Sequence, residues 1–157
     1  MDHVLKIARR RLGCDAAGEP WPGVIDAERR FHMRLRVGDE DIDEMGHVNN
    51  AVWVAWLQDV SAAHWYHAAR PEDRERYGAM VLHHDITYRG NVGPGADVKA
   101  QTWVDGPPRG VRYARRVQFF DEADRLLVSA LSQWGVVEIA TGRLVRVTPE
   151  IAGPFLP

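Results

Sequence analysis

The sequence predicts one α+β domain, an antiparallel sheet of about five strands wrapped around one long central helix. Three observations lead there. The chain has 157 residues, a length suited to one domain. A single stretch, opening at Asn49, keeps a helical period over many turns. Most of the chain beyond that stretch reads as extended segments joined by short turns rich in Gly and Pro, too short for crossover helices.

The first 30 residues read as an arm. Residues 1–12 carry Lys6, Arg9, Arg10 and Arg11 with no uninterrupted apolar run behind them, so a secretory signal is not expected. Val4, Leu5, Ile7, Ala8 and Leu12 suit a short amphipathic helix instead. Gly13, Gly18, Pro20, Pro22 and Gly23 then punctuate an irregular stretch.

The domain proper is expected over residues 31–150. Phe31, Met33, Leu35 and Val37 alternate with His32, Arg34, Arg36 and Gly38, as in a half-buried strand. A polar loop spans 39–47. Asn49 is a fitting N-cap, and Trp53, Trp56, Leu57, Val60 and Ala63 then recur on one helical face. Pro71 discourages continuation past Ala69. Strands are expected at 79–89, 96–104, 111–120 and 126–139, with a short extension at 143–147. Residues 151–157 are left as a tail.

Composition excludes several classes of function. A net charge of −2 offers no basic stripe for nucleic acid. No apolar run is long enough to cross a bilayer. One cysteine, Cys14, cannot form an internal disulfide, which points to a reducing compartment, the cytoplasm.

The chemically suggestive stretch is Asp41-Ile42-Asp43-Glu44-Met45-Gly46-His47-Val48-Asn49-Asn50. A carboxylate can attack an acyl carbon or direct a water at it. The charge that develops on the carbonyl oxygen needs a donor, and a helix N-terminus supplies unpaired N–H groups and a favourable dipole. Asp43 stands six residues before Asn49, so one loop carries both halves of such a device. Gly46 permits a sharp bend and leaves no side chain in a ligand's way. A plain acidic, solvated loop is the competing reading of Asp39, Glu40, Asp41, Asp43 and Glu44.

Other clusters invite weaker readings. His64 and His67 lie one helical turn apart, but His83 and His84 point to opposite sides of a strand, and no metal is expected. Trp53, Trp56, Trp103 and Trp134 are read as core and subunit contacts rather than a cation cage. Arg109, Arg112, Arg115 and Arg116 are either solvated strand faces or a grip on phosphates.

The pattern Asp43-x-x-Gly46-x-Val48, with Trp53 and Trp56 beyond it, resembles the hot-dog-fold acyl-CoA thioesterases of the 4-hydroxybenzoyl-CoA thioesterase type. Asp41-Ile42-Asp43 followed by His47-Val48-Asn49-Asn50 is also similar to the plant acyl-carrier-protein thioesterases of that fold, which carry asparagine where Met45 stands. Gly142-Arg143 and Pro149 are similar to the family's closing segment.

The resemblance implies an acyl-CoA thioesterase with no cofactor. It makes Asp43 the nucleophile or general base and places the carbonyl-polarising backbone N–H at Asn50. It implies a second N–H at Gly78 and a catalytic role for His47. Arg89, Arg109 and Arg143 become candidates for holding coenzyme A. It also implies a homo-oligomer, a dimer or a dimer of dimers, with sites at the subunit boundary. Two alternatives stay open: a hot-dog dehydratase-hydratase of 3-hydroxyacyl or enoyl thioesters, and a non-catalytic acyl-CoA-binding module.

Overall fold

The computed structural model describes residues 12–157. The amphipathic helix expected over residues 1–12 therefore lies almost wholly outside the described residues. In chain order come β1 (Val24–Ile25), β2 (Phe31–Arg36), α1 (Asn50–Ala68), α2 (Pro71–Arg76) and β3 (Tyr77–Tyr88). They are followed by β4 (Asp97–Val104), β5 (Arg112–Phe120), β6 (Leu126–Glu138), β7 (Arg143–Leu144) and α3 (Pro149–Ala152).

Among the described residues the strands make one seven-stranded antiparallel sheet. Its spatial order is β1-β2-β4-β5-β6-β3, with β7 beside β6. The long helix packs on its inner face, chiefly over β4 and β5. This is the expected hot-dog arrangement.

Sequence pattern translates directly into packing. In β2, Phe31, Met33 and Leu35 are buried while His32, Arg34 and Arg36 are exposed, because successive side chains leave opposite faces. On α1 the buried residues include Trp53, Trp56, Leu57, Val60 and Ala63, the stripe anticipated from the helical period. Trp53 is 1% exposed; its ring lies 5.2 Å from Trp56 edge-on and 5.3 Å from Phe119. Burying such a side chain contributes on the order of 3 kcal/mol.

The helix ends where Ala69 and Arg70 turn extended ahead of Pro71. Pro71 then opens α2, a short second helix that the sequence pattern does not signal. Arg70 grips Asp73 through two bonds, Nε to Oδ2 at 2.8 Å and Nη2 to Oδ1 at 3.0 Å.

Three further features depart from the expectation. The arm contributes β1, which pairs with β2. Residues 149–155 form α3 and a final turn that bury Ile151 and Phe155, so the segment read as a tail joins the packed domain. Trp103 lies on the outer side of β4, half-buried, with the Arg30 guanidinium 4.1 Å above its ring, rather than in the core.

Candidate active site

The loop before α1 is a closed structure rather than a floppy acidic run. An antiparallel bridge joins Ile42 to Val48, Asp43 N–H donates to the His47 carbonyl at 2.9 Å, and Asn49 N–H donates to the Asp41 carbonyl at 2.9 Å. Gly46 takes φ +78°, the left-handed region, to close the turn, and the space beside its Cα is open.

Asp43 is half-buried in this loop. Its Oδ1 accepts the Met45 N–H at 2.9 Å and, more weakly, the His47 N–H at 3.5 Å. Oδ2 takes part in neither bond. The carboxylate is thus oriented by its own turn while one oxygen stays available.

The helix start follows directly. Asn49 caps α1 with its Oδ1 on the Ala51 N–H at 2.9 Å. Val52 and Trp53 N–H groups turn to the Asn49 carbonyl. Among the described residues nothing accepts the N–H of Asn50, which therefore remains at the positive pole of a 19-residue helix. His47 is exposed on the same loop.

A second segment, which sequence reasoning missed, holds this loop. Asn91 Nδ2 donates to the Val48 carbonyl at 3.0 Å, and Val48 N–H donates to the Val92 carbonyl at 3.2 Å. Both residues lie in the turn between β3 and β4. No local signal in the sequence marks a contact across 43 residues.

The remaining expected site residues divide by position. Arg89, exposed, stands two residues before Asn91 at the same end of the sheet as Asp43. Gly78 pairs with Val137 near the end of β6, and Arg143 pairs with Glu138, so both sit at the opposite end. Arg109, bridged to Arg112 in the turn before β5, is also at that far end. Within one chain, Asp43, His47 and Asn50 share one stretch, with Arg89 at the same end of the sheet; Gly78, Arg109 and Arg143 do not join them.

The strand arginines and the histidines also resolve. Arg115 is 2% exposed, neither solvated nor open to a phosphate, and Arg116 bonds Asp105 at 2.8 Å. His64 is buried and bonded to Arg115, whereas His67 meets the Trp21 carbonyl at 2.7 Å. His83 is exposed, and His84 turns inward to Ser132 Oγ at 2.6 Å.

A curled antiparallel sheet around a helix, with a carboxylate loop at the helix N-terminus, defines a hot-dog protein of thioesterase type. The sequence profile of the thioesterase-like superfamily matches residues 37–155, and the chain belongs to that superfamily. Membership agrees with the expected thioester hydrolase. Comparison with the curated proteins finds no match.

Solved structures show the same fold at low identity. A Staphylococcus aureus protein solved in complex with CoA superposes with a TM-score of 0.72 at 16% identity, covering 81% of this chain and 82% of that one. The DHNA-CoA thioesterase of Staphylococcus aureus gives 0.66 at 15%, covering 75% and 80%. A 1,4-dihydroxy-2-naphthoyl-CoA thioesterase from Synechocystis gives 0.67 at 11%, covering 80% and 95%.

Proposed function

We propose that the protein hydrolyses an acyl-CoA thioester to the free acid and coenzyme A. The observation that carries this reading is the loop itself, where a half-buried carboxylate leads within seven residues to a helix N–H that has no acceptor among the described residues. A thioester carbonyl held by the Asn50 N–H gains a donor aimed at its developing oxyanion. Asp43 attacks the acyl carbon or takes a proton from a water that does so. By either route the C–S bond breaks and the departing thiolate takes up a proton. Where Asp43 attacks, a water then cleaves the anhydride it has formed and restores the carboxylate. Where a water attacks, its oxygen forms the C–O bond of the free acid directly. His47, the one histidine on that loop, is the candidate carrier of that proton. Arg89, at the same end of the sheet, is the nearest candidate for the coenzyme A phosphates.

The functional unit in this reading is a homodimer. β3 is a 12-residue strand at the sheet edge with one side unpaired, an arrangement that invites a second chain. Met80 and Tyr88, two of its large apolar residues, are exposed. Antiparallel pairing centred on the strand midpoint sets Gly78 of one copy against Thr87 of the other. That brings Gly78 to the Asp43 end of the neighbouring chain and gives Arg109 and Arg143 the same opportunity. The fold thus separates within one chain what a two-fold axis would unite. Among the described residues no helix is long and apolar enough to cross a membrane. With a single cysteine in the chain, we place the reaction in the cytoplasm.

A thiol-release assay over aromatic, short and long acyl-CoAs tests the reading. Turnover of at least one class, lost in Asp43→Asn while acyl-CoA still binds, is the expected result. Binding without thiol release by the unmodified protein would overturn it and leave a binding module.

A further inference from the structure

The long helix leaves part of the inner sheet face uncovered. Between the second half of α1 and strands β3, β6 and β5 lies an open groove of about 910 Å³. Ligand pockets commonly span ~300–1,000 Å³. On the helix the groove runs from Gln58 to Tyr66, about 12 to 24 Å from the start of α1. It is therefore no part of the same chain's Asp43 site.

The walls are broad and aromatic. Trp65, Tyr66, Tyr77 and Tyr113 line the groove, each half-buried and so partly open to a ligand. The Trp65 ring is held against Phe155, with 5.6 Å between centroids and 6° between planes. Ala62, Gly78 and Ala79 are small and leave room between the rings. The floor crosses three adjacent strands, from Ala79 on β3 past β6 to Tyr113 on β5, a width of about 10 Å.

Such a surface suits a flat ring system, because aromatic faces pack on planar groups in offset or edge-on contact. A single alkyl chain would cover one strip of the floor. The facing rings would then lack partner atoms and forfeit dispersion attraction.

The β3 pairing proposed above carries this groove to the neighbour's chemistry. Gly78, at the groove's edge, comes to the Asp43 end of the other copy. We propose that the substrate's acyl group is aromatic and lies in this groove. Each active site then joins Asp43 and the Asn50 N–H of one copy to the groove of the other. The inference rests on the thioesterase homodimer of the preceding section.

Thiol release from 1-naphthoyl-CoA and from octanoyl-CoA by the full chain tests the acyl class. We expect kcat/KM to favour the naphthoyl ester about tenfold or more. Ala62→Trp fills the groove and should lower naphthoyl turnover by about tenfold or more. Ala79→Trp serves the same purpose should the first variant not fold. A mixed dimer, with Asp43→Asn in one copy and the groove variant in the other, tests the shared site. One of its sites keeps both an intact Asp43 and an intact groove, so naphthoyl turnover should return to about half the unmodified rate. Equal or better turnover of octanoyl-CoA would overturn the aromatic assignment and leave the thioesterase reading standing. A mixed dimer as inactive as its parents would overturn the sharing of the groove between copies. Absence of thiol release from every acyl-CoA is the separate failure of the thioesterase reading, and it takes this proposal with it.

Discussion

Asn91 Nδ2 donates to the carbonyl of Val48 at 3.0 Å, fastening the turn between β3 and β4 to the residue just before the α1 cap. Val92 accepts the N–H of the same residue, so both backbone polar groups of Val48 are held by one turn. Asn91→Ala removes one bond, worth about 1 kcal/mol of stability. We expect a roughly tenfold drop in kcat, because misplaced catalytic groups lose more rate than stability. Steady-state thiol release beside urea denaturation measures both.

Asp43→Asn should keep the loop, since an amide oxygen can still accept the Met45 N–H. It removes the nucleophile or base, and kcat is expected to fall by about 10²-fold or more. Turnover near the wild-type rate would sink the assignment.

His64 links stability to acidity. Its pKa falls from 6.5 in the unfolded chain to about 2 when buried, so only the unfolded form takes a proton between those values. The stabilisation is complete above pH 6.5 and is lost as the pH drops below it, by about 1.4 kcal/mol per unit. Urea midpoints at pH 7.5, 6 and 5 should therefore decline, and His64→Asn should flatten that decline.

The β3 edge offers a test of the proposed dimer by sign of charge. Pairing about the strand midpoint sets residue 80 of one copy against Asp85 of the other, on the outer face. Met80→Glu then places like charges opposite each other, whereas Met80→Lys places opposite ones. Sedimentation is expected to show monomers for the first and dimers for the second, with thiol release following the dimer. Dissociation of both variants, or of neither, would rule out this register.

Gly13 takes φ +72°, and a Cβ there would meet the Ala63 nitrogen at 2.5 Å and the Asp59 carbonyl oxygen at 2.7 Å. Its N–H donates to Asp59 Oδ1 at 2.8 Å inside the protein. Gly13→Ala should cost about 3 kcal/mol, read from denaturant midpoints, because rigid helix backbone has to give way.

Periodicity is local, and the features it governs were legible in the sequence. The alternation from Phe31 and the helical stripe from Trp53 to Ala63 each report which side of one element meets the core, and the structure buries those sides. Asn49 as cap was equally plain, since capping joins a side chain to an N–H two residues on. The short elements α2, α3 and β1 escaped because a handful of residues carries no period.

What only the tertiary structure decided are relations between distant segments. Asn91 supports Val48 from 43 residues away, and folding seals Arg115 against His64 and Thr102. The side chains near Asp43 are likewise selected by strand direction: antiparallel pairing carries Arg89 to that end and Gly78 to the other. The physical reason is that hydrogen-bond register and burial depend on which surfaces meet. A chain's own spacing records which face each segment hides, but not which distant face will cover it.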